Sequence, residues 1–159
     1  MRAQDAGIDL VAYDPKGHVV LLAEAKSRGG TSAQWASGLR RNLLAHGALP
    51  SARYFLIATP EHIYLWRQEF WQQEGATYNE AAPDFIIDAT RELKPYFEKF
   101  HQRPSEIGPE EFELLVSSWL NNVAWSGEEP RNEDSSFGWL KESGLAESLR
   151  DARVEMRPG

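Results

Sequence analysis

Asp9 interrupts an otherwise apolar run, Gly-Ile-Asp-Leu-Val-Ala-Tyr, and Glu24-Ala25-Lys26 interrupts the end of a second run, Val-Val-Leu-Leu-Ala. A charge inside a segment that is apolar on both sides needs a reason, because desolvating an unpaired carboxylate costs several kcal/mol. Two carboxylates held a few ångströms apart repel each other and make a strong site for a hard divalent cation. Mg²⁺ (or Mn²⁺) takes one or two protein carboxylates and keeps several waters. The Ala25 carbonyl offers a further oxygen between Glu24 and Lys26. A cation held there lowers the pKa of a bound water and neutralises charge on a phosphate ester. Lys26 would position or deprotonate that water, or stabilise the charge developing at phosphorus. The plainer alternative is a salt bridge from Glu24 to Lys26 or Arg28 on a solvated edge.

Both acids must be brought together by the chain between them. Residues 7–13 read as a strand, residues 14–17 (Asp-Pro-Lys-Gly) as a turn and residues 19–25 as a second strand. The second strand is apolar on both faces until Glu24, as expected inside a covered sheet. Alternation puts Glu24 and Lys26 on one face and Ala25 on the other. The turn decides where Asp9 goes. If Asp14 pairs with Gly17, Asp9 sits opposite Leu22, diagonal to Glu24 and on its face. A three-residue turn with a bulge at Gly17 sends Asp9 to the other face unless a second bulge compensates. The sequence leaves both registers open.

Residues 27–31 read as a loop, and Thr31 or Ser32 could cap a helix running to about His46 and ended by Gly47. Trp35, Leu39 and Leu43 recur at helical spacing as its buried stripe, with Gln34 and Arg41 on another face. Residues 54–58 and 62–66 read as strands about a Thr-Pro-Glu turn, giving the order β-β-α-β-β, an α/β sandwich pattern. Tyr64 and Trp66 share a face of the last strand, where packing in the core is favoured over stacking on bases. Residues 68–83 read as a loop or excursion, residues 85–87 as a short strand or packed segment, and residues 90–100, 109–123 and about 138–150 as helices. Residues 127–136 look least ordered.

The chain has 159 residues, 42% hydrophobic and 26% charged, enough for one compact domain with a core. No apolar run approaches the roughly 20 residues that span a bilayer. The N-terminus does not read as a secretory signal. The absence of cysteine excludes disulfide and thiolate chemistry and fits a reducing cytoplasm. The net charge of −7 argues weakly against a protein that simply coats DNA. Its distribution is uneven: residues 25–60 contain Lys26, Arg28, Arg40, Arg41 and Arg53 and no acid. The four histidines lack zinc-ligand spacing, and no P-loop, dinucleotide-binding glycine motif or nucleophile elbow is present.

Asp9, then Glu24-x-Lys26 at the end of an apolar strand, then a helix carrying Gln34 and Arg40-Arg41 and a pair of strands, resembles the PD-(D/E)XK nuclease superfamily over about residues 7–66. The resemblance implies a restriction-endonuclease-like mixed β-sheet core flanked by helices in residues 1–67. A linker and a mostly helical part, residues 68–159, would pack on the same domain. It implies that Asp9 and Glu24 bind Mg²⁺ or Mn²⁺, with the Ala25 carbonyl, and that Lys26 assists the attacking water. It places Gln34 against substrate or Lys26, and Arg28, Arg40 and Arg41 on backbone phosphates, the substrate being DNA ahead of RNA. That family's core opens with a helix that often bears a further Glu. Only six residues precede the first strand here, so such a helix must come from the C-terminal half, from a homodimer mate or other partner chain, or be missing. The rival expectation is a nuclease-fold module that binds nucleic acid or a protein and cuts nothing.

Overall fold

The computed structural model describes residues 8–46, 49–67, 81–125 and 138–157. Most of the 68–83 excursion, all of residues 127–136 and the helix stop at Gly47 lie outside these.

The elements run β1 (Leu10–Tyr13), β2 (Val19–Ala25), α1 (Ala33–His46), β3 (Tyr54–Ala58), β4 (His62–Arg67), β5 (Phe85–Asp88), α2 (Ala89–Glu92), α3 (Lys94–Lys99), α4 (Pro109–Trp125), α5 (Gly138–Ser143), α6 (Leu145–Ser148) and β6 (Arg153–Met156). The fold is α/β, with a mixed six-stranded open sheet ordered β5-β4-β3-β2-β1-β6 and flanked by helices. β2 and β3 are parallel, joined through α1, and every other pair is antiparallel. The central strands are apolar on both faces because both faces are covered. On one side Val11, Leu22, Phe55, Ile57, Tyr64 and Trp66 pack with Ala36 and Leu44 of α1. On the other, Leu10, Leu21, Leu56 and Leu65 pack with Phe112, Leu115, Val116 and Trp119 of α4 and with Leu93, Phe97 and Leu140.

The first hairpin resolves the open register. Asp14 N–H donates to the His18 carbonyl and Gly17 N–H to the Asp14 carbonyl, so three residues form the turn. Gly17 has φ +90°, where a side chain would be strained. A second irregularity follows: Tyr13 pairs with Val19 but Ala12 with Leu21, leaving Val20 as the extra residue. The two shifts together set Leu10 opposite Ala23 and bring Asp9 beside Glu24.

Residues 68–159 supply both outermost strands: β5, where residues 85–87 read as a short strand or packed segment, and β6, which the sequence reading does not include. The helix read over residues 90–100 is two short ones. Pro95 stands at the start of α3, where its missing N–H is tolerated, and Asp88 caps α2 by accepting from Thr90 N–H. The helix read over 138–150 is broken at Gly144, which has φ +82°. No helix among the described residues is long and apolar enough to cross a membrane.

Candidate functional site

Glu24 and Lys26 lie at the carboxyl end of β2, beside its parallel neighbour β3. Lys26 N–H donates to the Ala58 carbonyl at 2.9 Å, extending the parallel ladder by one residue. The loops leaving these two strands are joined by Gly30 N–H donating to Glu61 Oε1 at 2.9 Å. The carboxyl end of adjacent parallel strands is where open α/β sheets leave a crevice for ligands.

Asp9 and Glu24 grip each other's strands. Asp9 N–H donates to Glu24 Oε1 at 3.1 Å, and Ala25 N–H donates to Asp9 Oδ2 at 2.9 Å. The second oxygen of Glu24, Oε2, lies 2.9 Å from Lys26 Nζ. The salt bridge anticipated as an alternative therefore forms with Lys26, though Glu24 is buried rather than on a solvated edge. Arg28 is exposed, and its guanidinium lies 5.7 Å from the Trp35 ring centroid.

A third acid meets this pair. Glu113, in the second turn of α4, is near enough to Asp9 and Lys26 for both to act on its carboxyl group. Nothing in the sequence marked it individually. The one related expectation was the acid-bearing helix implied by the resemblance, and α4 is an acid-bearing helix packed on the face opposite α1.

The electrostatics follow from three carboxyl groups around one ammonium. Burial pushes Glu24 up to about 8, the Asp9 charge adds to this, and Lys26 only partly offsets both. Burial also raises Glu113, to about 7, helped by Asp9. Asp9 is raised by burial against the Ala25 N–H bond and the Lys26 charge, which lower it. Burial works against the Lys26 ammonium, but Glu24, Asp9 and Glu113 outweigh it and hold its pKa above the ordinary lysine value. With all three acids ionised, the cluster carries two uncompensated negative charges.

These donors are hard oxygens with an excess of negative charge, which suits a hard divalent cation. Their present arrangement is not a finished cage. No group of three or more His, Cys, Asp or Glu side chains among the described residues is placed to hold a metal ion. Glu24 Oε2 is held by Lys26 and Asp9 Oδ2 by Ala25 N–H, so a cation would have to displace part of this bonding.

The phosphate-contact candidates separate. Arg28, Gln34 and Arg41 are exposed. Arg40 is not a surface residue: it is 2% exposed, and its guanidinium lies 5.4 Å from the Trp66 ring centroid. Burial lowers its pKa to about 10, against the attraction of Asp84. Arg40 is on the helix face that packs on the sheet, which the Arg-Arg pair concealed. Tyr64 and Trp66 are buried; Tyr64 Oη bonds Thr31 Oγ1 at 2.8 Å, and Trp66 Nε1–H donates to the Ala81 carbonyl at 2.8 Å.

No protein-family model, no curated protein and no solved structure matches this chain.

Proposed function

We propose that this chain is a metal-dependent nuclease of the PD-(D/E)XK type that hydrolyses phosphodiester bonds of DNA or RNA. The observation that carries the proposal is the convergence of Asp9, Glu24 and Lys26 at the carboxyl end of two parallel strands, from positions fifteen residues apart. The sheet with α1 on one face and α4 on the other is then a restriction-endonuclease-like core. α4 serves as the opening helix, and Glu113 is its acid. On that reading the core needs no second chain to complete it.

Asp9 and Glu24 would hold Mg²⁺ or Mn²⁺, with the Ala25 carbonyl as a further ligand. When bound, such an ion supplies a water of lowered pKa and offsets charge on the scissile phosphate. The chain's own residues do the rest. Lys26, kept charged by its acidic neighbours, stabilises negative charge developing on the phosphate and orients the attacking water. Glu113, raised to about 7 by burial and by Asp9, would stand beside the Asp9 ligand and act on it through its charge. Arg28, Gln34 and Arg41 meet backbone phosphates, which ask for charge rather than base reading. A cysteine-free chain of this kind fits work in the cytoplasm.

The test is cleavage of single- and double-stranded DNA and RNA with Mn²⁺ or Mg²⁺. The wild type should cut, Glu24→Ala should not, and Lys26→Ala should be slower by about 10²- to 10³-fold. A second reading, a nuclease-fold module that only binds nucleic acid or a protein partner, is favoured by one observation. Both Glu24 oxygens are already bonded, to Asp9 N–H and Lys26 Nζ, as in a purely structural clasp. A folded wild type that cuts nothing under either metal would establish that reading instead.

A further inference from the structure

A cleft of 390 Å³ lies between α3 and the C-terminal half of α4, lined by Tyr96, Lys99, Ser118, Asn121, Asn122 and Trp125. Small-ligand sites run from roughly 300 to 1,000 Å³, so it has room for a flat group or two but not for a duplex.

Its chemistry is specific. Trp125 is 59% exposed, more than any other large hydrophobic side chain described. Tryptophan normally buries its ring; this one stands at the rim of a cleft. Asn122 Nδ2–H donates to Tyr96 Oη at 2.8 Å, which leaves the phenol proton and the Asn122 carbonyl to face a ligand. Asn121 donates through Nδ2 to the Ser117 carbonyl at 2.9 Å and to Ser117 Oγ at 3.4 Å, which leaves its side-chain carbonyl as an acceptor. Lys99 is the single charged residue of the six, and among the described residues no acid lines the cleft, in a chain of net charge −7. An aromatic platform, hydrogen-bonding groups of both senses at its edge and one cation beside it match a base and its phosphate. A sugar ring would also stack on Trp125 but brings no charge for Lys99.

We infer that this cleft binds an unpaired nucleotide, with its base on Trp125, its edge against Asn121, Asn122 and Tyr96, and its phosphate on Lys99. The inference rests on the nuclease reading for taking the ligand to be nucleic acid, and it names the substrate class as one with a single-stranded segment. Glu113 and Trp125 lie on one helix, and at 1.5 Å per residue their separation is about 18 Å. A strand at about 3.4 Å per nucleotide covers that in about five nucleotides.

The test is anisotropy of a labelled oligo-dT titrated with the full chain in EDTA. The wild type should bind, Trp125→Ala should bind about five- to a hundred-fold more weakly, and Trp125→Tyr should restore much of the loss. Lys99→Gln should reduce the salt slope by about 0.7. Trp125 is exposed, and circular dichroism would confirm that its variants fold. The inference is overturned by no binding, by unchanged binding of Trp125→Ala, by equal binding of a duplex of the same length, or by preference for a neutral oligosaccharide. Cleavage with Mn²⁺, measured in parallel, keeps the two ideas apart. A wild type that cuts while Trp125→Ala binds normally sinks the cleft alone. A wild type that never cuts while Trp125→Ala loses binding sinks the nuclease alone.

Discussion

Lys26 Nζ lies 2.9 Å from Glu24 Oε2, yet the lysine side chain is 43% exposed and the glutamate side chain 1%. The pair is thus a buried carboxyl group with a cation at the water's edge. Above pH 8, where Glu24 is ionised, removing Lys26 leaves its carboxylate uncompensated in the interior, whereas removing Glu24 leaves an ammonium that water can solvate. Above pH 8, Lys26→Met should therefore destabilise the fold more than Glu24→Gln, which chemical denaturation of the two variants would compare. Equal losses would contradict this asymmetry.

The pH dependence has a definite sign. Glu24 holds its proton up to about pH 8, whereas the unfolded carboxyl releases it near its ordinary 4.5. The folded chain therefore binds more protons than the unfolded one across that window, and stability falls as pH rises through it. Glu113, raised to about 7, acts in the same direction. Thermal unfolding in EDTA should show Tm declining from pH 5 to pH 8, and Glu24→Gln should flatten the decline. A wild-type Tm that is level or rising over this range would count against the acidic cluster.

Glu113 should matter to the metal without being its main ligand. Glu113→Gln removes an ionisable carboxyl group that acts on Asp9 and Lys26. Outer partners of this kind change metal affinity or activity by about 10- to 100-fold. Weaker Mn²⁺ dependence of cleavage with the fold intact is the expected outcome; unchanged dependence would remove Glu113 from the site.

Neighbouring arginines should behave oppositely. Arg40→Ala empties a buried position under Trp66 and should cost roughly 2–5 kcal/mol of stability without changing the salt slope of nucleic-acid binding. Arg41→Ala should leave stability nearly unchanged and lower that slope by about 0.7 to 0.9. Denaturation curves and salt titrations of the two variants separate these outcomes, and the reverse pattern would reassign the two side chains.

Periodicity made the strands and long helices legible: the apolar runs around Leu22 and Phe55, and the stripe of Phe112, Leu115 and Trp119, lie in the core where their spacing put them. What stayed hidden depended on contacts distant in sequence. Arg153–Met156 is four residues long and mostly exposed, so only its pairing with β1 defines it as a strand. Val20 is an ordinary strand residue by type, and nothing in it announces a bulge. Glu113 resembles its solvated neighbours Glu110 and Glu111 until α4 is laid against the sheet. Arg40 and Arg41 are adjacent and alike, and only the phase of α1 separates the core residue from the surface one.

The central claim is that Asp9 and Glu24 hold a divalent cation, and direct Mn²⁺ binding at pH 8 tests it without assuming a substrate. Titration calorimetry should find one Mn²⁺ per chain in the wild type, lost in Asp9→Asn and Glu24→Gln and kept in Arg41→Ala. No saturable uptake by the folded wild type, or uptake that survives both carboxylate substitutions, would contradict the account.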